Sequence, residues 1–304
     1  MLAAAVRRLG GPSVSPDTRT TVIVITRNRR DQLLRSLDRL AALPEEPPVI
    51  VVDNASTDGT ADAVAAHHPG TTVLTPGRNL GAPGRTLGVR RARTPYVAFS
   101  DDDSWWEPGS LRRAADLLDR HERLGLVAAR IHVAPAGRPD PLNDVLASSP
   151  LGRAEDLPGP QVFGFLACAA VARRDAFLAA GGYHPLLFLG GEETLLAYDL
   201  TARGWGVCHC PDVVAVHSPT GGVRPGRPAV QLRNAALTAW LRRPLPVALR
   251  HTRELLREAG RDPDARAALR QTLRRLPAAL RDRRPLPAAV EAAARRLDAR
   301  GALL

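Results

Sequence analysis

The sequence predicts an α/β protein: an open, doubly wound and mostly parallel sheet with a Rossmann-like first half, followed by a C-terminal helical extension. Three observations carry this. Short apolar runs alternate with helix-period segments up to about residue 117, a polar cluster follows each run, and after Pro228 the composition turns to Ala, Leu and Arg.

Thr21–Ile25 is a β-branched run, and Leu33, Leu34, Leu37 and Leu40 then recur at helical spacing. Val49–Val52, Thr72–Leu74 and Tyr96–Phe99 are further short apolar runs, separated by helical segments at about 57–67 and 82–92. A helix from near Pro108 to Leu117 closes this half. Strands that are apolar on both faces and separated by helices specify a parallel sheet covered on both sides. Beyond Gly159, Val162–Arg173 reads as one or two buried strands, 175–180 and 193–203 as helices, and 213–216 as a strand. The segment after Pro228 is helical, broken at Pro244, Pro246, Pro277, Pro285 and Pro287.

A chain of 304 residues can bury a full core. Its three cysteines do not make a disulfide framework and suit a reducing cytosol. Cys208-His209-Cys210 is read as residues alternating across a strand rather than as metal ligands, since no second ligand pair follows. The first residues lack a secretory apolar run, and the longest apolar stretch, 162–172, is too short to span a bilayer as a helix. A cytoplasmic protein is expected. All 42 basic residues are arginine; residues 1–223 carry a net charge of −1 and residues 224–304 carry +12. Apolar positions between 230 and 259 recur at helical spacing among these arginines, so the tail either packs on the rest of the chain or makes a peripheral contact with an anionic membrane at its inner face. Nucleic acid is not expected as a partner, because Trp240 is the tail's only aromatic.

Ligands of open parallel sheets bind beyond the carboxyl ends of the strands. There this sequence places Thr26-Arg27-Asn28, Asp53-Asn54, Asn79-Leu80-Gly81 and Asp101-Asp102-Asp103. Three adjacent carboxylates repel one another unless a cation or donors neutralise them, and hard oxygen ligands suit Mg²⁺ or Mn²⁺ bridging to phosphates. A solvated acidic turn in which Asp103 or Ser104 caps the next helix is the alternative.

The segments TVIVITRNR, VIVVDNASTDGT, GRNLGAPGRTLGVRRA, YVAFSDDDSWWEPGSL, GFLACAAVARRDAFLAAGGY and FLGGEETLLAYDLTARGW, in this order between about Thr20 and Ser218, resemble family 2 glycosyltransferases of the GT-A fold. The resemblance implies a catalytic domain over 20–223, preceded by an N-terminal extension over 1–19; charge and composition mark a basic helical region over 224–304. It further implies a nucleotide-sugar donor, a divalent metal (Mn²⁺ or Mg²⁺), a carbohydrate, lipid-linked or small-molecule acceptor, and inversion at the anomeric carbon.

By the same resemblance Thr26, Arg27 and Asn28 lie beside the nucleoside, and Asp53 accepts from a base imide, favouring UDP- or TDP-sugars. Asn79, Gly81 and Arg85 line the nucleotide pocket. Asp101, Asp102 and Asp103 form the acidic motif, with Asp103 as the first metal ligand, Asp101 beside it and His217 completing the shell. Glu193 is the base, with Glu192 in reserve, because this chain has Glu where the family has Asp and Leu195 where many members have an acid. Those departures leave room for a binding protein that has lost the chemistry. A sugar-phosphate nucleotidyltransferase ranks third, since the loop after the first strand has no glycine.

Overall fold

The computed structural model describes residues 16–219 and 226–300. Its N-terminal half alternates strand and helix: β1 (Thr20–Thr26), α1 (Arg30–Ala41), β2 (Val49–Asp53), α2 (Thr60–His67), β3 (Thr72–Leu74), α3 (Gly84–Arg91) and β4 (Tyr96–Asp101). These four strands pair in parallel in the order β3-β2-β1-β4.

Strand alternation explains why both faces are covered. On β1, Val22 and Val24 point into a core with Leu33, Leu37 and Leu40 of α1. Ile23 points the other way, into a core with Val52, Val89 and Phe99. Leu33, Leu37 and Leu40 recur at four- and three-residue spacing and are all but fully buried, so truncating one to Ala would cost about 2–5 kcal/mol.

The second half is mixed. It runs through β5 (Ser104–Trp106), α4 (Ser110–Arg120), β6 (Leu124–Val133), β7 (Arg138–Pro139), α5 (Leu142–Ala147), a 3₁₀ turn (Ala167–Ala169), β8 (Ala170–Arg173), α6 (Arg174–Ala179), α7 (Glu192–Thr201) and β9 (Gly206–His217). β8 joins β4 and β6 antiparallel, β6 runs parallel to β9, and β5 closes the order antiparallel to β9. β7 pairs with β6 off this path.

Three differences from the expected elements have physical causes. β6 is a full central strand although Gly125, Ala128 and Ala129 dilute its β-forming character, because it is walled by β8 and β9. β9 begins at Gly206, earlier than expected, and is interrupted: Cys210 pairs with Ala129 but Arg130 next pairs with Val214, a bulge that accommodates Pro211. Of the run 162–173 only Ala170–Arg173 is strand. Cys208, His209 and Cys210 are buried strand residues, and His209 Nδ1 contacts the Ala128 carbonyl at 3.0 Å.

The basic tail forms α8 (Arg227–Arg242), α9 (Leu245–Glu258), α10 (Pro263–Arg281) and α11 (Ala288–Asp298). The expected boundary at 223 falls among residues 220–225, outside the described residues. Leu237, Leu241 and Ala248 share a core with Leu187 and Leu195, and α11 inserts Val290, Ala294 and Leu297 beside Phe163 and Tyr198. Two of the tail's buried arginines pair with carboxylates: Arg242 forks onto Asp199 of α7, with Nη2 at 2.9 Å, and Arg243 bridges Glu291 and Asp298, each at 2.7 Å. Among the described residues no helix is long and apolar enough to cross a membrane.

Candidate active site

The register of the parallel strands sets the site. Thr26 lies beside Asp53, and Ile25 beside Asp101, so three strands present their polar ends at one level. Thr26 Oγ1 donates to Asp102 Oδ2 at 3.0 Å, tying β1 to the acidic cluster. Asn28 adopts a left-handed conformation (φ 54°), and its Oδ1 accepts from the Thr57 backbone N–H at 2.7 Å while its own N–H donates to Ser56 Oγ at 2.9 Å. This sews the loop after β1 to the loop after β2. Arg27 is exposed beside it. Asp53 is buried, and its Oδ1 accepts from the Ser56 N–H at 2.9 Å.

Asn79 Oδ1 accepts from the Gly81 N–H at 3.0 Å, and Asn54 spans the same turn, accepting from Leu80 N–H at 3.1 Å. Gly81 has φ 66°, and a Cβ there would overlap the Phe188 carbonyl oxygen; only glycine fits. Arg85, on the first turn of α3, is 1% exposed and pairs with Asp101, with its guanidinium 5.7 Å from the Tyr183 ring centroid. Its Nε and Nη1 find no hydrogen-bond partner. The structure thus places Arg85 beneath Asp101.

The three aspartates differ in environment. Asp102 is buried, and burial pushes its pKa up to about 7; Arg29 opposes the shift while the charges of Asp101 and Asp103 add to it. Burial also works against the Asp103 charge, but His217 and Arg29 outweigh it and hold that carboxyl below its usual range. His217 Nε2 lies 3.5 Å from Asp103 Oδ1; burial opposes the imidazolium, and Asp103 reverses this and raises the imidazole pKa. The contact exists because β5 pairs with β9, setting Ser104 opposite His217. Trp106 is buried in the core, and Trp105 is half-buried, with the Arg39 guanidinium 5.7 Å from its ring centroid.

Glu192 and Glu193 open α7 after Gly191, which has φ 84°. Glu192 is 2% exposed, its Oε2 lacks a partner, and burial together with the neighbouring Glu193 charge pushes its pKa up to about 8. Glu193 is half-buried; burial raises its pKa as well, against the pull of its own helix N-terminus and of Arg85. Arg85 pairs with Asp101, and its positive charge also opposes the raised pKa of both glutamates.

The family model for Glycosyl transferase family 2 matches residues 21–179, just over half of the chain. The chain is a family 2 glycosyltransferase.

N-acetylglucosaminyl-diphospho-decaprenol L-rhamnosyltransferase of Mycobacterium tuberculosis is 28% identical to this glycosyltransferase over 229 residues, 64% of this chain and 75% of the relative. An uncharacterized glycosyltransferase of Mycobacterium bovis is 41% identical over 81 residues, 27% of this chain and 36% of its own. Among solved structures, a mannosyltransferase from Pyrobaculum calidifontis in complex with GDP-Man and Mn²⁺ matches with TM-score 0.57 and 23% identity, covering 96% of this chain and 79% of its own. TarS of S. aureus in complex with UDP-GlcNAc matches with TM-score 0.57 and 19% identity, covering 85% and 72%. At these identities the likenesses establish the fold, GT-A.

Sequence reasoning missed two residues of this glycosyltransferase's site. Arg29 donates to Asp102 at 2.6 Å and to Asp103 at 3.1 Å. Its place in TVIVITRNR, one residue past Asn28, was the available signal. Phe188 has φ 67°, and its carbonyl accepts from the Ala82 N–H at 2.6 Å, which joins the turn before α3 to the loop before α7. Nothing in the sequence pattern announces that contact.

Proposed function

We propose that this glycosyltransferase moves a sugar from a nucleotide-diphosphate donor, UDP- or TDP-linked, onto an acceptor hydroxyl with inversion at the anomeric carbon. The observation that carries the reading is the buried Arg85, which pairs with Asp101 at the strand end and acts on Glu192 and Glu193 at the head of α7. One cation thereby joins a donor-side cluster to a pair of candidate bases.

On this reading Asp53, Asn79 and Gly81 receive the nucleoside, with Thr26, Arg27 and Asn28 alongside. Glu193, more open than Glu192, takes the acceptor hydroxyl's proton on the face opposite the leaving group, which gives inversion. Its raised pKa makes it a stronger proton acceptor once ionised. Glu192 stays largely protonated at neutral pH and limits the negative charge beside it.

A divalent metal fits the donor set of Asp103 and His217, a carboxylate and an imidazole already in contact, whereas Asp101 is engaged by Arg85. Among the described residues no three His, Cys, Asp or Glu side chains form an all-protein cage, so the remaining ligands would come from phosphates and water. Bound there, Mn²⁺ or Mg²⁺ would neutralise charge developing on the leaving diphosphate.

The named acceptor of the mycobacterial relative, a diphospho-decaprenol, supports a lipid-linked acceptor here. Exposed Leu245, Leu249 and Leu256 fall on one stripe of α9, with Arg250, Arg253 and Arg257 on the adjoining one, a surface suited to an anionic bilayer. Each such arginine near the bilayer is worth about 1 kcal/mol, so the contact weakens with salt.

The test is transfer and hydrolysis across a panel of nucleotide sugars, with product configuration read by NMR. A uridine or thymidine donor and an inverted product are expected. Exclusive use of a guanosine donor or a retained configuration would overturn the assignment. Co-sedimentation with anionic and neutral liposomes tests the membrane contact; equal, negligible pelleting removes it.

A further inference from the structure

In the loop that leads into α7 the Leu187 carbonyl accepts from the Leu189 backbone N–H at 2.9 Å, and side chains of α8 supply further donors. Phe188, Gly190 and Gly191 all lie in the left-handed region, with φ of 67°, 86° and 84°, so the carbonyls between them belong to no ladder or helix. Buried carbonyls need donors. Here side chains of α8 supply them, foremost Asn234, which is 0% exposed. Its two Nδ2 protons are shared among three carbonyls, those of Leu187 at 2.9 Å, Leu189 at 3.0 Å and Gly190.

Arg233 reinforces the grip. Its Nη2 donates to the Leu187 carbonyl at 2.7 Å, its Nε orients Asn234 through Oδ1 at 2.9 Å, and its Nη1 reaches Gln271 of α10 at 2.8 Å. Burial draws the Arg233 pKa down to about 10, and the neighbouring Arg275 adds to the shift. A guanidinium and an amide placed there are costly unless hydrogen-bonded, and the loop carbonyls supply those bonds. On its other side the loop holds the donor-side turn through Phe188 carbonyl and Ala82 N–H. Two residues after Phe188 come Gly190-Gly191, then Glu192 and Glu193.

We propose that Asn234 is a positioning residue for transfer: by holding the carbonyls of Leu187, Leu189 and Gly190 it sets where Glu193 stands relative to the donor-side turn. The C-terminal helices are then part of the catalytic apparatus as well as a packing surface. The inference rests on Glu193 as the base, and a displacement of about 1 Å at a reacting group can cost about 10²-fold in rate.

The experiment compares wild type, N234A, N234S and E193Q for kcat, its pH profile, UDP affinity and thermal unfolding. N234A and N234S are expected to lose at least ten-fold in kcat, with UDP affinity changed less than about three-fold and the acid limb of kcat displaced. The unfolding midpoint identifies the variants that are folded at assay temperature, and N234S, which keeps a hydroxyl donor, is read where N234A is not. A folded variant with wild-type kcat and an unmoved acid limb overturns the positioning role. Full activity of E193Q would instead overturn the base assignment, whatever Asn234 does.

Discussion

Arg85 and Asp101 form an ion pair from the first turn of α3 to the last residue of β4, with the Arg85 side chain 1% exposed and the Asp101 side chain 33% exposed. Removing one partner of such a pair leaves a charge with no counter-ion in low dielectric. Arg85→Met keeps the length and removes the cation. We expect a loss of about 3 kcal/mol, at the low end for a buried pair because Asp101 is partly solvated. Denaturant unfolding measures it, and a change below about 1 kcal/mol would show that the pair is not structural.

Glu192 makes stability depend on pH. Its folded pKa, about 8, lies above its ordinary 4.5, so the folded state holds the proton more tightly than the unfolded chain. The favourable contribution is whole below about pH 4.5 and is lost as pH rises through about 8. Glu192→Gln removes that loss. The variant should gain on wild type by a few kcal/mol between about pH 5 and about pH 9. Parallel stability curves for the two proteins would contradict the buried, protonated state.

Glu193→Gln keeps the shape at the head of α7 and removes the proton acceptor. Transfer should fall by about 10²-fold or more with donor affinity little changed. Because burial raises the Glu193 pKa, the acid limb of wild-type kcat should lie above the ordinary carboxylate range. If Glu192→Gln is the inactive variant instead, the base is the preceding residue.

Chelation tests the Asp103–His217 pair. Activity should vanish in EDTA and return with Mn²⁺ or Mg²⁺, and Asp103→Asn should lose nearly all turnover while remaining folded at assay temperature. His217→Ala should raise the metal concentration needed for half-maximal activity by about 10–100-fold, the range for weakened metal coordination. Undiminished turnover in chelator would exclude the metal.

The sequence by itself determined the Rossmann-like half, because strand and helix periodicities there are uninterrupted and each strand ends in its polar cluster. Thr26, Asp53 and Asp101 were therefore legible as strand ends on one edge, and the register then sets Thr26 beside Asp53 and Ile25 beside Asp101. It also placed a helix from Glu193, one residue after the observed start of α7 at Glu192. Only the tertiary structure decided the rest. β5 and β6 have weak strand signals and are strands because β9 and β8 flank them, and that pairing is what brings His217 to Asp103. It likewise divided the tail's leucines between a core shared with Leu187 and Leu195 and the exposed stripe of α9, and set Asn234 under the loop before Glu192. Periodicity reports which face of an element is apolar, a local property; which donor meets which carbonyl across 40 residues depends on how those faces pack.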